Sequence, residues 1–237
     1  MSTGEAEQRY SALVTGGNRG IGLAIARRMR DEGHDVIVAS RSGDAPEGLR
    51  AVACDVSDSD SVDAAFTAAE EMLGRSADGV VANAGIAKDT LLMRMTDDEF
   101  VSVVDTNLAG AFRVARRSIK GMIRARRGRI IFISSVVGLY GSPGQTNYAA
   151  GNAFLDALAH HRRARGLPAL SINWGPWATG MIEELGLVDH YRNSRGMSSL
   201  FPDTGMEVLE RVLGHDQAQI LIATVVNWPL FFSWYPS

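Results

Sequence analysis

Ser11-Ala12-Leu13-Val14-Thr15-Gly16-Gly17-Asn18-Arg19-Gly20-Ile21-Gly22 is the stretch that decides the fold. An apolar run that reads as a strand, Ser11 to Thr15, runs into a glycine cluster, and a helix-like segment follows from Gly20 to Glu32. Each glycine has a physical reason to be there. Gly16 permits a tight turn, Gly20 lets the backbone approach a pyrophosphate, and Gly22 allows the helix to pack closely on the strand. Phosphates would then lie at the helix N-terminus, in the field of its free amides. A bound dinucleotide is the expectation.

Outward from this turn, strand-like and helix-like runs alternate to the end of the chain, which predicts a parallel sheet covered on both faces. Strands are expected at Ser11 to Thr15, Val36 to Ser40, Arg50 to Cys54, Gly79 to Asn83, Arg129 to Ser134, Ala169 to Trp174 and Gln219 to Val226. Most are continuous runs of Val, Ile, Leu and Ala, as strands buried on both faces require. Helices are expected at Gly20 to Glu32, Ser59 to Leu73, Asp97 to Arg126, Ala149 to Arg165 and Thr204 to Leu213. Ser57-Asp58-Ser59 offers N-caps for the second helix, and Gly128 and Gly166 fall where helices should stop. The fold class is therefore α/β, a Rossmann-type doubly wound parallel seven-stranded sheet. Residues 1–237 read as one domain, with an irregular lid at about 179–202, beyond a strand end where a substrate cover would sit.

Composition excludes several classes. The chain has 237 residues, 46% of them apolar, and a net charge of −3, as in an ordinary globular protein with no call for nucleic acid. A single cysteine, Cys54, rules out an internal disulfide and fits a reducing compartment. Met1 to Gln8 lack the pattern of a signal peptide. The apolar end from Trp228 to Tyr235 is too short to span a bilayer and is expected to pack as a tail on the body or on a partner. A cytoplasmic location follows, with no membrane association and no metal site.

Gly-x-x-x-Gly-x-Gly with Thr15 in front resembles the short-chain dehydrogenase/reductase family. So do Asp55-Val56, Val81-Ala82-Asn83-Ala84-Gly85, Asn107, and Ser135 thirteen residues before Tyr148. The resemblance implies that Gly16, Asn18, Arg19, Gly20, Ile21 and Gly22 cradle a nicotinamide cofactor. It places Asp55 and Val56 at the adenine, Asn83, Ala84 and Gly85 along the adenosine ribose and backbone, and Gly175 and Thr179 in a loop over the nicotinamide. Ser135 would bind a substrate carbonyl and Tyr148 would donate a proton to it. Asn107 would hold a water that continues the proton relay. The choice of cofactor follows from charge: Ser40-Arg41 after the second strand and Arg19 in the turn suit the 2′-phosphate of NADPH, where an acidic residue would repel it.

Four residues after Tyr148 the family has lysine, and this chain has Asn152. Its two lysines, Lys88 and Lys120, are remote in sequence. The surrounding words, Gly138 to Ala159, Gly166-Leu167-Pro168-Ala169 and Asn173-Trp174-Gly175-Pro176-Trp177-Ala178, resemble the ketoreductase domains of modular polyketide synthases. Those domains have asparagine at this position but keep a lysine where Asn107 stands here. Upstream, Asp89 to Thr96 and Asn107 to Phe112 resemble discrete 3-oxoacyl-[acyl-carrier-protein] reductases. The mosaic has the asparagine of both patterns and the lysine of neither. A cation about 4–5 Å from a phenol oxygen contributes roughly 3–4 kcal/mol at an effective dielectric near 20. Its loss predicts weakened catalysis in which the oxidation direction suffers more. The expected activity is NADPH-dependent reduction of a 3-oxoacyl or polyketide β-keto thioester on an acyl carrier protein. The alternatives are a non-catalytic NADPH-binding sensor or scaffold, or a reductase of a free small ketone. Arg124 to Arg129 and Arg162 to Arg165 are candidate docking runs for an acidic carrier. The resemblance also implies a homodimer or homotetramer. Lys88, after the Asn83-Ala84-Gly85 turn, is a candidate to supply the missing cation.

Overall fold

The computed structural model describes residues 9–179, 181–184, 186, 188–213, 215 and 217–234. The segment Met1 to Gln8 and Tyr235 lie outside the described residues. In chain order the elements begin with β1 (Ser11–Thr15), α1 (Gly20–Asp31), β2 (Asp35–Ser40), β3 (Arg50–Ala53), α2 (Ser59–Leu73) and β4 (Gly79–Ala82). A single 3₁₀ turn at Leu92–Arg94 leads into α3 (Asp97–Val104), a π turn (Asp105–Ala109), α4 (Gly110–Ala125) and β5 (Arg129–Ser135). Then come α5 (Val137–Tyr140), α6 (Thr146–Arg163), β6 (Leu170–Trp174), α7 (Met181–Glu184), α8 (Val188–Arg195) and β7 (Met197–Ser198). The last elements are α9 (Pro202–Leu213), β8 (Gln219–Ile222), β9 (Thr224–Val225) and α10 (Trp228–Trp234).

Among the described residues, seven strands form one parallel sheet in the order β3-β2-β1-β4-β5-β6-β8, the doubly wound arrangement expected from the alternation. Every residue of β1, β4 and β6 is buried, which is why these strands are mainly apolar on both faces, with Ser171 and Asn173 of β6 as polar exceptions. Two cores flank the sheet. Leu13, Ile37, Phe66, Val114 and Phe132 belong to the core under α2, α4 and α6. Val14, Ile25, Ile172, Met206 and Leu209 belong to the one under α1 and α9. The polar faces left outside make α1, α4 and α9 amphipathic.

Several boundaries differ from the sequence reading, each for a local reason. The expected helix Asp97 to Arg126 is interrupted by the π turn around Asn107, whose side chain is tied to the backbone of Ile86. Its end is set by Arg126 in the left-handed region (φ 50°), not by Gly128. Gly166 does adopt positive φ (70°) just past α6. Asp58 caps α2 by accepting from the Asp60 amide, as its position predicted. The expected long last strand divides at Ala223. Its first half joins the sheet as β8, and its second half pairs antiparallel with β7. The region 179–202 is less irregular than expected, since it carries α7, α8 and β7. No helix among the described residues is long and apolar enough to cross a membrane.

Candidate active site

The C-terminal ends of β1, β4, β5 and β6 open onto a cavity of about 290 Å³. Gly16, Asn18, Arg19, Gly20 and Ile21 line it at the β1 end, and Asn83, Ala84, Gly85 and Asn107 in the middle. Ser135, Tyr148, Asn152, Gly175 and Thr179 line it beyond β5. Gly22, Ser40, Arg41, Asp55 and Val56 do not line this cavity. The last four follow or end β2 and β3, at the same edge of the sheet but farther out.

The glycine turn is held by its neighbours across the sheet. Thr15 Oγ1 accepts from the amides of Asn83 (3.0 Å) and Ala84 (3.1 Å), and the Asn83 side chain donates to the carbonyls of Thr15 and Gly16. Gly16 sits at φ 63°. A Cβ on Gly22 would fall 2.4 Å from the Gly16 carbonyl oxygen, so the first turn of α1 closes onto the loop only because that position has no side chain. No side chain caps α1, and its first turn has no acidic residue, so its terminal amides face the cavity as a cradle for an anion. The residues present fit a dinucleotide phosphate.

Farther out along this edge, Asp55 Oδ1 accepts from the Ser57 amide (2.9 Å) and hydroxyl (2.6 Å), and these bonds, helped by Arg41 and Arg113, lower its pKa. Arg41 and Arg19 are both exposed, on the adjacent strand ends where Thr15 pairs with Ala39. Ser40 is buried, with its hydroxyl 3.4 Å from that of Ser42. Val56 is buried against Gly110. Burial beside Asp55 pushes the Cys54 thiol up to about 11, so it is a packing residue and not a thiolate.

At the other end, β5 delivers Ser135 and α6 delivers Tyr148 and Asn152 to one place. Burial raises the Tyr148 pKa, and hydrogen bonds with the Ser135 and Asn152 side chains pull it back in part. The one charge that acts on it is Asp89, which raises it further; among the described residues no cation offsets this. Lys88 is exposed, and its contact here is through its carbonyl, which accepts from the Asn147 side chain at 3.4 Å. Lys120 is exposed on α4. Asn152 Nδ2 donates to the Tyr148 carbonyl (2.8 Å), so the amide that replaces the lysine is locked onto its own helix. Asn107 donates to the Ile86 carbonyl and accepts from its amide, each at 2.9 Å. A water held at this point meets that carboxamide only through its remaining hydrogen and lone pair.

Beneath these residues lies a buried polar network that the sequence reading missed. Asn173 Nδ2 lies within bonding distance of Asp156 Oδ2 (2.9 Å), Ser134 Oγ (3.1 Å) and the Ser135 carbonyl (3.2 Å). Ser171 donates to the other Asp156 oxygen at 2.6 Å, and Gln219 donates to Asn173 Oδ1 at 3.0 Å. It ties β5, β6, β8 and α6 together directly under Ser135. The signal was a run of polar residues, Ser171 and Asn173, on alternate positions of an otherwise apolar strand. Also missed as lining residues were Trp174, Trp177, Tyr191 and Met197. The two arginine runs lie at the opposite end of the sheet, where β5 begins and β6 is approached. Arg127 there pairs with Asp78 (2.9 Å), and Arg162 is buried.

Comparison with known proteins puts this geometry in company. The KR domain family matches residues 11–179. The 3-oxoacyl-[acyl-carrier-protein] reductase MabA of Mycobacterium tuberculosis is 50% identical over 173 residues, which are 73% of this chain and 69% of that protein. Erythronolide synthase EryA3 of Saccharopolyspora erythraea is 32% identical over 228 residues, 90% of this chain and 7% of that protein. The solved PlmKR1 ketoreductase from the first module of phoslactomycin biosynthesis in Streptomyces sp. HK803 superposes with a TM-score of 0.84 at 29% identity. That match covers all of this chain and 58% of the other.

Proposed function

This chain belongs to the KR domain family, and from that premise we propose that it is an NADPH-dependent ketoreductase acting on a 3-oxoacyl or polyketide β-keto thioester carried by an acyl carrier protein. The observation that carries the reading is the meeting of Ser135 and Tyr148 in one cavity with the uncapped N-terminus of α1. In this reading the 237 residues act as one NADPH-binding domain in the cytoplasm.

The cofactor, when bound, supplies the hydride. Gly16 to Gly22 and the first amides of α1 would hold its phosphates, and Arg19 and Arg41 would meet a 2′-phosphate. Asp55 would lie at the adenine, with Asn83 to Gly85 and Asn152 along the riboses and Gly175 and Thr179 closing over the far end. Ser135 binds the substrate carbonyl oxygen and keeps it within reach of Tyr148. Tyr148 donates its phenolic proton to that oxygen as the carbonyl becomes an alcohol. A raised pKa keeps the phenol protonated, so it is always loaded for reduction. The same property makes it a poor base for the reverse reaction. The enzyme is therefore biased toward reduction and slower than relatives that have a lysine beside the tyrosine.

The absence, among the described residues, of a cation acting on Tyr148 also favours a second reading, an NADPH-binding sensor or scaffold without turnover. Two assays separate them: NADPH consumption with a 3-oxoacyl thioester, and NADPH binding followed by nicotinamide fluorescence. Binding with turnover supports the reductase. Binding without turnover on carrier-bound and free thioesters transfers the case to the sensor, and turnover of a free small ketone alone makes the carrier irrelevant.

A further inference from the structure

We propose that the C-terminal helix α10 is a strap that holds the substrate lid in register with the catalytic loop, and that Phe231 is the positioning residue through which it acts. The inference rests on the ketoreductase reading for its substrate, but the coupling itself does not.

Met197 is the shared residue. It is 1% exposed, it lines the site cavity, and it packs in one small cluster with Phe231 (6% exposed), with Tyr191, Ala223 and Val225 against them. Tyr191, on α8, lines the same cavity. Phe231 thus backs the two lid side chains that face the site. Its other side meets Tyr140, edge to face, with ring centroids 6.0 Å apart. Tyr140 ends α5, the short helix that leaves Ser135. One phenyl ring therefore touches both the lid and the short helix that follows the carbonyl anchor.

The backbone makes the strap stiff. β7 of the lid pairs with β9 just before α10, Met197 opposite Val225. The Gly196 carbonyl accepts from the amides of Val226 (2.9 Å) and Asn227 (3.2 Å). Asn227 Oδ1 accepts from the Leu230 amide at 3.1 Å and so caps α10. Gly196 sits at φ 71°, and a Cβ there would fall 2.4 Å from the Asn227 carbonyl oxygen, so the close approach of lid to strap depends on glycine. Fixed at both ends, Phe231 sets the position of Met197 and Tyr191, and with it the width of the cavity beside Tyr148. A wall held by packing discriminates among acyl groups by binding and leaves the proton donor untouched.

The test uses the full chain and three variants: Phe231→Ala, Phe231→Leu and Tyr140→Leu. Backbone hydrogen exchange reads the coupling without any substrate. Phe231→Ala should speed exchange about tenfold or more at the amides that join the lid to its neighbours, Ala178, Leu200 and Val226, and leave the β1 and β5 amides unchanged. With 3-oxoacyl thioesters of increasing length, KM should rise about tenfold while kcat stays within about twofold, the mark of lost uniform binding. NADPH affinity should not change. Phe231→Leu should restore most of the KM, and Tyr140→Leu should reproduce the effect in part if Phe231→Ala does not fold. Unchanged lid exchange in the folded variants overturns the strap, as does faster exchange with an unchanged KM. A wild-type chain that binds NADPH and reduces nothing overturns the ketoreductase reading, and the exchange data still decide the coupling.

Discussion

At the scale of single residues, the chain is defined by what surrounds one phenol. Tyr148 is half-buried beside Ser135 and Asn152 and acted on by an acidic charge, so its proton is held more firmly than in a free tyrosine. Two other residues give independent checks on the site. Gly22→Ala would drive a methyl group into the Gly16 carbonyl, and the turn would have to open. We expect NADPH affinity to fall by at least about tenfold, with a cost of about 1–3 kcal/mol in stability, measured by fluorescence titration and by urea denaturation. Cys54, pushed up to about 11, should resist alkylation by iodoacetamide at neutral pH until the chain is unfolded. Fast labelling of the folded chain would mean that the β3 end is open. The sequence told the identities of Ser135, Tyr148 and Asn152 and their spacing. It could not tell that the Asn152 amide is turned onto the Tyr148 carbonyl or that the Asn107 amide is taken by Ile86, because both depend on which backbone groups tertiary packing brings near.

At the scale of elements, the strands were legible because a parallel sheet buried on both faces leaves continuous apolar runs, and α1 and α2 because glycine and Asp58 mark their starts. The π turn was not legible, since it follows from a side chain on α3–α4 reaching a different loop. The splitting of the last strand was not legible either, since apolar residues continue through Ala223 into a second, smaller sheet. The buried network around Asp156 and Asn173 is the element-scale device that seats Ser135. Removing the Asn173 side chain leaves the Asp156 carboxylate buried with one partner fewer. Asn173→Ala should therefore cost about 1–3 kcal/mol of stability in a urea titration and lower kcat more than it raises KM. An unchanged denaturation midpoint would mean that the network is not supporting β5 and β6.

At the scale of the whole molecule, the parallel sheet places the candidate site at one end, where β1, β4, β5 and β6 finish. The arginine runs expected to dock a carrier lie at the other end, separated from Tyr148 by the length of β5, about 20 Å for its strand rise. Arg127 and Arg162 are also taken up by the fold itself. Charge reversal at the exposed Arg124 and Arg126 should therefore leave KM for a carrier-bound thioester within about twofold, and a large rise would place the carrier at that end after all. In the proposed reductase, the direction of catalysis follows from a Tyr148 on which no cation among the described residues acts. This is tested most directly by the pH dependence of reduction and oxidation rates for the wild type and Asn152→Lys. In the wild type, reduction should show no alkaline loss from Tyr148 below the ordinary tyrosine range of about 10, and oxidation of the 3-hydroxyacyl product should be slow at neutral pH. Asn152→Lys should speed oxidation about tenfold or more and shift the alkaline limit of reduction to lower pH. Superimposable profiles for the two proteins would contradict the claim that the missing charge governs this site.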